Sequence, residues 1–211
     1  MAAIKFDSKD ETSTELSKSP VFSKETFGAI KDHENTGLPL HTPWTFWLYR
    51  AMPGHTMEDY EKHLKMIYTV NTVQGFWAVF NNIPHVGEMQ NRYSYHLMRH
   101  EKRPIWEFDG NQNGGTWRLR CHKRNTEKIW KEIILAAIGE QLSDCVEEGD
   151  EISGITVSIR DSEDMIQIWN SNAELASKAT ILKKVHQLLP DIHFLNEHYK
   201  PHQSHYAYNR H

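Results

Sequence analysis

The stretch ISGITVSIRDSEDMIQIWN, residues 152–170, reads as two strands, 152–160 and 165–170, joined by the acidic turn Asp161-Ser162-Glu163-Asp164. Ile155, Val157 and Ile159 alternate with Thr156, Ser158 and Arg160, so the aliphatic set faces a core and Arg160 faces away from it. A turn that pairs Arg160 with Met165 sets Ser158 opposite Gln167 and Thr156 opposite Trp169, and directly opposed residues share a face. Arg160 and Trp169 then stand together on a polar face. An indole in that company is either an edge ring covered by a loop or a ring that meets a ligand.

Working outward, strands and helices alternate. WTFWLYR at 44–50 is an aromatic-rich strand, 57–65 a short helical stretch and 66–70 a further strand. Apolar residues at 73, 76, 77, 80 and 83 predict a helix over 72–83 that ends at Pro84. Strands follow at 93–99 and 116–121, separated by a loop over 106–115 that carries Asp-Gly and Gly-Gly signals. Residues 126–142 form the strongest helix, with Ile129, Trp130, Ile133, Ile134, Ala137 and Ile138 in one band. A helix over 173–189 stopped by Pro190 and a last strand over 192–199 complete the chain. Strands outnumber helices and pair as neighbours, which predicts an α+β domain with a mainly antiparallel sheet and helices over one face. Residues 1–35, polar and without periodicity, read as a disordered tail, 36–200 as the domain and 201–211 as a flexible C-terminal tail.

Composition limits the chemistry. The chain has 211 residues and a net charge of −4, so the whole surface is not built for a polyanion. Basic residues concentrate in 116–131, where Arg118 and Arg120 either supply local phosphate contacts or solvate the sheet. Two cysteines make neither a disulfide framework nor a zinc site. Fourteen scattered histidines contain no HExxH arrangement, and no cofactor is expected. The longest apolar run, 133–138, is far too short to span a membrane, and the acidic N-terminus has no apolar leader, which predicts a cytoplasmic or nuclear chain.

Seven tryptophans exceed what such a core needs. Trp106-Glu107 falls in the predicted loop, where the ring either tucks beneath its own loop or stacks on a purine while the carboxylate accepts from the N1–H and N2 amine of guanine. In the 72–83 helix, Phe76, Val79, Phe80 and Ile83 with Val73 and Trp77 on the flank span an arc wider than burial on a sheet requires. The excess is core packing or a seat for a partner helix.

In order and spacing, LPLHTPWTFWLYR, TVQGFWAVFNNI, RPIWEFDGNQNGGTW, IWKEIILAAIGEQL and GITVSIRDSEDMIQIWN resemble the mRNA cap-binding eukaryotic translation initiation factor 4E family. YHLMR, IGEQL with Asp144-Cys145, and YKPH look most like its type 3 (class III) members. The resemblance spans about 38–199 and implies a curved antiparallel sheet with three long helices on its convex back and a cap slot on the concave side. It implies that Trp106 and Tyr60 sandwich 7-methylguanine, Glu107 reads the guanine edge, Trp169 lies near the methyl group and Arg160 binds phosphate. Methylation puts positive charge into the base, which favours aromatic faces. Thr116, Ser162 and Met165 stand where the family has basic residues, so cap binding weaker and less salt-dependent than usual is expected, with Arg118, Arg120, Lys123 and Arg124 as compensating contacts. On the convex back, Pro39, Val73, Trp77, Glu132, Leu135 and Gly139 match the surface that takes a helix of the 4G scaffold or of 4E-binding proteins. Lys131 replaces an apolar residue there and narrows the set of partners. The resemblance implies a monomeric, non-enzymatic cap-binding factor; the alternative is an interaction module of the same fold with little cap affinity.

Overall fold

The computed structural model describes residues 22–52, 54, 57–107 and 110–203. Seven strands, β1 (Pro39–Arg50), β2 (Lys65–Thr72), β3 (Tyr93–Arg99), β4 (Gly115–Cys121), β5 (Ile152–Ser158), β6 (Asp164–Asn170) and β7 (Asn196–Pro201), form one open sheet in the order β2-β1-β3-β5-β6-β4-β7. Every neighbouring pair is antiparallel. The helices are α1 (Lys24–Thr36), α2 (Met57–His63), α3 (Val73–Phe80), α4 (Lys123–Ile138) and α5 (Ile181–Leu188).

Strand alternation separates two faces. Phe46, Leu48, Tyr95, Leu97, Trp117, Leu119, Ile155, Val157, Ile166 and Ile168 form the core side, closed by Phe76 and Val79 of α3, Ile129, Trp130, Ile133 and Ile134 of α4, and Val185 of α5. The other, concave face carries Trp47, His96, Thr156, Gln167 and Arg118, which are successive cross-strand partners.

The hairpin keeps its face assignment but not its predicted register. Thr156 opposes Gln167, Ser158 opposes Met165 and Gly154 opposes Trp169. The strand ends at Ser158 because the backbone of Ile159 turns to β3, with its N–H on Tyr93 O (2.9 Å) and its O receiving Arg92 N–H (2.7 Å). The Arg160 N–H then donates to Asp164 Oδ1 (3.0 Å), which tightens the connection. The slip is by two residues, and an even slip moves no side chain to the other face.

Three further expectations change. The tail reading of 1–35 fails over 24–35, which belong to α1: Ser23 Oγ caps the Thr26 N–H (3.2 Å), Ile30 is 1% exposed, and the Phe27 ring meets Tyr68 edge-on at 5.7 Å. Residues 1–21 lie outside the described residues. Composition missed α1 because its few apolar residues are buried by α3 and β2, not by a stripe of its own. The Glu34 carboxylate ties it down through Asn71 N–H (2.9 Å) and Nδ2 (3.1 Å), and it passes so close that a Cβ at Gly75 would sit 1.5 Å from Glu34 Oε1. The predicted helix over 173–189 is a 3-10 segment, Ala173–Lys178, followed by α5, because Thr180 N–H turns aside to Cys145 O (2.8 Å). At the other end, Pro201 closes β7 and the buried His202 donates its N–H to Gly114 O (2.9 Å), so 201–202 belong to the domain.

Candidate functional site

A cleft of about 610 Å³ opens on the concave face, and Tyr60, Trp106, Glu107, Arg160 and Trp169 all line it. The floor comes from β3, β5 and β6. Trp169 is buried, its Nε1–H donates to Thr156 Oγ1 (2.9 Å), and that oxygen lies 2.8 Å from His96 Nδ1. An indole nitrogen is a donor, so Thr156 Oγ1 accepts from it and passes its own O–H to His96. Burial drives His96 down to about 3, which keeps the ring neutral and able to accept at Nδ1. His202 covers another side of Trp169, with ring centroids 4.9 Å apart.

The wall containing Trp106 is a loop after β3, and Asn111 shapes it. Its Nδ2 donates to the carbonyls of Arg103 and Ile105 (2.8 Å each). Trp106 packs half-buried against the small cluster of Trp47, Met98 and Trp169. The next residue, Glu107, turns its carboxylate to the cleft, where Oε2 is buried without a hydrogen-bond partner among the described residues. Desolvation raises the Glu107 pKa, a backbone hydrogen bond opposes this, and the charge of Glu61 adds to the rise. Tyr60, presented by α2, donates its hydroxyl to Pro104 O (3.0 Å) and lies against Tyr49 with centroids 4.0 Å apart. Burial raises the Tyr60 hydroxyl's pKa further above its ordinary value.

Arg118, Arg120 and Lys123, expected near phosphates, divide. Arg118 lines the cleft with Arg160 and donates to Thr116 Oγ1 (3.1 Å). Its pKa is lowered by burial and then by the charge of Arg160. Arg120 pairs with Glu163, and Lys123 pairs with Asp164 (3.0 Å) and the Arg160 carbonyl; neither lines the cleft. Ser162 is exposed beyond it, whereas Met165 and Thr116 are buried.

On the opposite face, Pro39 pairs with Thr72, Val73 N–H donates to Leu38 O (2.8 Å), and so β1 begins beside the first turn of α3. Lys131 Nζ stands 5.8 Å over the Trp77 ring, which joins α3 to α4. Leu135 and Trp77 are half-buried against the core, Glu132 is partly exposed, and the Gly139 N–H caps α4 on Leu135 O (3.0 Å). Val73 and Leu38 are exposed large apolar residues of this region.

Sequence reasoning missed Tyr49, His96 and His202. Alternation in YSYHLMR carries a signal for His96, since the residue opposes Trp47 and Thr156. His202 has no local signal, because its place depends on β7 pairing with β4. Among the described residues, no group of three or more His, Cys, Asp or Glu could hold a metal ion, and no helix is long and apolar enough to cross a membrane.

A profile of the family described as eukaryotic initiation factor 4E matches residues 39–211. The chain is 32% identical over 178 residues to the eukaryotic translation initiation factor NCBP of Arabidopsis thaliana, covering 83% of this chain and 76% of that protein. It is 36% identical over 152 residues to the eukaryotic translation initiation factor 4E-1 of Citrullus lanatus, covering 72% of this chain and 63% of the relative. Among solved structures, it superposes with a TM-score of 0.70 and 27% identity on C. elegans eIF4E-3, a complex with the 4E-binding protein Mextli and a cap analog, covering 83% of this chain and 99% of that one. The fold is shared too by Ascaris suum eIF4E-3 in its complex with the m7G cap, at a TM-score of 0.67 and 24% identity, over 79% of this chain and 92% of the other. On the match across the whole sheet and its helices, the chain belongs to the eukaryotic initiation factor 4E family.

Proposed function

We propose that the concave cleft binds the 7-methylguanosine cap of mRNA and that the convex face takes a helix of the 4G scaffold or of a 4E-binding protein. The chain then acts in translation initiation or its regulation as a monomeric cytoplasmic binding factor without catalytic activity. The observation that carries this reading is Glu107. A buried carboxylate oxygen without a partner costs free energy, and a ligand edge with two adjacent N–H donors removes that cost. The N1–H and N2 amine of guanine are such an edge.

Trp106 stacks on the base beside this carboxylate. Methylation spreads a positive charge over the ring system, so an indole face discriminates 7-methylguanine from guanine by a cation–π term of about 1–2 kcal/mol. Trp169 is held edge-fixed by Thr156 and stands at the floor to meet the methyl group. Tyr60 supplies the second aromatic wall. Arg160 and Arg118 meet the phosphates, and the ion pairs of Arg120 and Lys123 exclude those two from the task.

Tryptophan fluorescence during titration with 7-methyl-GTP, and in parallel with GTP, tests the reading. Quenching specific to the methylated nucleotide and lost in Trp106→Ala is the expected result. Absence of quenching by either nucleotide would overturn cap binding and leave an interaction module.

A further inference from the structure

Three cations at the edge of the concave face form no ion pair among the described residues. On β4, Thr116 and Arg118 oppose Lys200 and His198 of β7. Arg160 enters the same cleft as Arg118 from the β5–β6 connection. Among the described residues, Arg99, Lys102, Arg103, Arg120 and Lys123 each reach a carboxylate, whereas Arg118, Arg160 and Lys200 form no ion pair. Asp161 and Glu107 also line the cleft, but neither pairs with these three cations, and Asp161 instead accepts from Asn91 Nδ2 (3.0 Å).

Arg118 is the charge common to the two others. Burial and then Arg160 disfavour the charged form of Arg118, and burial and then Arg118 do the same to Lys200. Like charges held together in partly desolvated positions are relieved by a bound anion. The cross-strand row Trp169, Thr116, Lys200 places the lysine two strand positions from the purine-facing indole, about 10 Å away at the usual strand spacing. Lys200 is not among the residues that line the cleft itself; it stands beside the cleft, on the strand next to that of Arg118 and on the same face of the sheet. An arginine fork grips phosphate oxygens bidentately, while an ammonium on a flexible stem serves as a point charge for the more solvated groups beyond.

We propose that Lys200 completes a three-cation site with Arg118 and Arg160 that takes the oligophosphate following the methylated guanosine. The site replaces the basic positions occupied here by Thr116, Ser162 and Met165 with one supplied by the edge strand. For the placement of its ligand it rests on the cap reading above.

The test compares 7-methyl-GMP, 7-methyl-GDP and 7-methyl-GTP on the full chain, its Lys200→Gln variant and its Lys200→Arg variant. Lys200 lies on an edge strand and is partly exposed, so both variants fold. Affinity should rise with each phosphate in the parent chain. Lys200→Gln should lose roughly five- to tenfold on the triphosphate with the monophosphate unchanged, and Lys200→Arg should restore most of it. An unaltered ratio of triphosphate to monophosphate affinity in Lys200→Gln overturns the proposal. Should the parent chain bind no methylated nucleotide, the cap reading fails by itself. Inorganic tripolyphosphate then decides the anion site: binding weakened by Lys200→Gln supports it, and unchanged binding overturns it.

Discussion

The Nε1–H of Trp169 and the hydroxyl of Thr156 are joined at 2.9 Å across β5 and β6, although the two residues are not directly opposed in the sheet. Gly154 is the direct partner of Trp169, and a Cβ there would lie 2.2 Å from Met98 Sδ. The missing side chain leaves room for Met98 beneath the indole, and the diagonal hydrogen bond fixes the ring over the floor of the cleft.

Replacing Thr156 by valine keeps the shape and strands two buried groups, the Trp169 N–H and His96 Nδ1. Each stranded group costs about 1–3 kcal/mol. Urea denaturation should show that loss for Thr156→Val and a much smaller one for Thr156→Ser, which keeps the hydroxyl.

Glu107 must be ionised to accept two N–H donors. Glu107→Gln exchanges one acceptor oxygen for a donor and should weaken retention on a 7-methylguanosine resin by about 2–3 kcal/mol while the thermal transition stays in place. Because desolvation raises the folded carboxyl above its ordinary range, cap affinity in the parent chain should begin to fall at a higher pH than for an exposed glutamate. Titrations across acidic pH with both proteins check this, and an affinity that does not change on acidification excludes the carboxylate from the contact.

His96 makes the fold acid-sensitive. Its ring is driven from 6.5 down to about 3 by burial, so as pH falls the unfolded chain takes up the proton first. Its contribution is fully present above about 6.5 and is lost progressively toward pH 3, with a slope of up to about 1.4 kcal/mol per pH unit. Denaturation midpoints measured between those limits should be flatter for His96→Gln than for the parent chain.

On the convex face, Trp77→Ala should abolish capture of a 4G-type helical peptide, because the ring bridges α3 to α4 under Lys131. Lys131→Leu should strengthen the same interaction by about 1–2 kcal/mol, since docking an apolar helix no longer requires desolvating an ammonium. Calorimetric titration of both variants with one peptide reads the two effects. A Lys131→Leu variant with weaker binding would show that the lysine makes a favourable contact with the partner.

Most elements were legible in the chain because their apolar periods differ. The period of two in GITVSIR placed Ile155, Val157 and Ile159 in the core and, through its pairing with MIQIW, Trp169 on the other side, and this survived a slipped register. The apolar band of α4 was equally plain, although the helix begins at Lys123, three residues before the predicted start, with Lys123 and Thr126 both bonded to Asp164. Helix α1 was not legible, since its anchors, Ile30 and Glu34, are meaningful only against α3 and β2.

From residue order and type alone came the α+β class and the two faces of the sheet, properties of spacing along one segment, whereas the roles of Trp106-Glu107 and of the stripe around Trp77 stayed open there and came only with the family resemblance. Tertiary structure decided which cations are available. Arg118, Arg120 and Lys123 look alike in the sequence, yet Glu163 and Asp164 neutralise the last two while Lys200, far along the chain, comes to the edge beside Arg118. The reason is physical: alternation records which way a side chain points, but a charge's partner is set by strand order and register, which depend on contacts between segments distant in sequence.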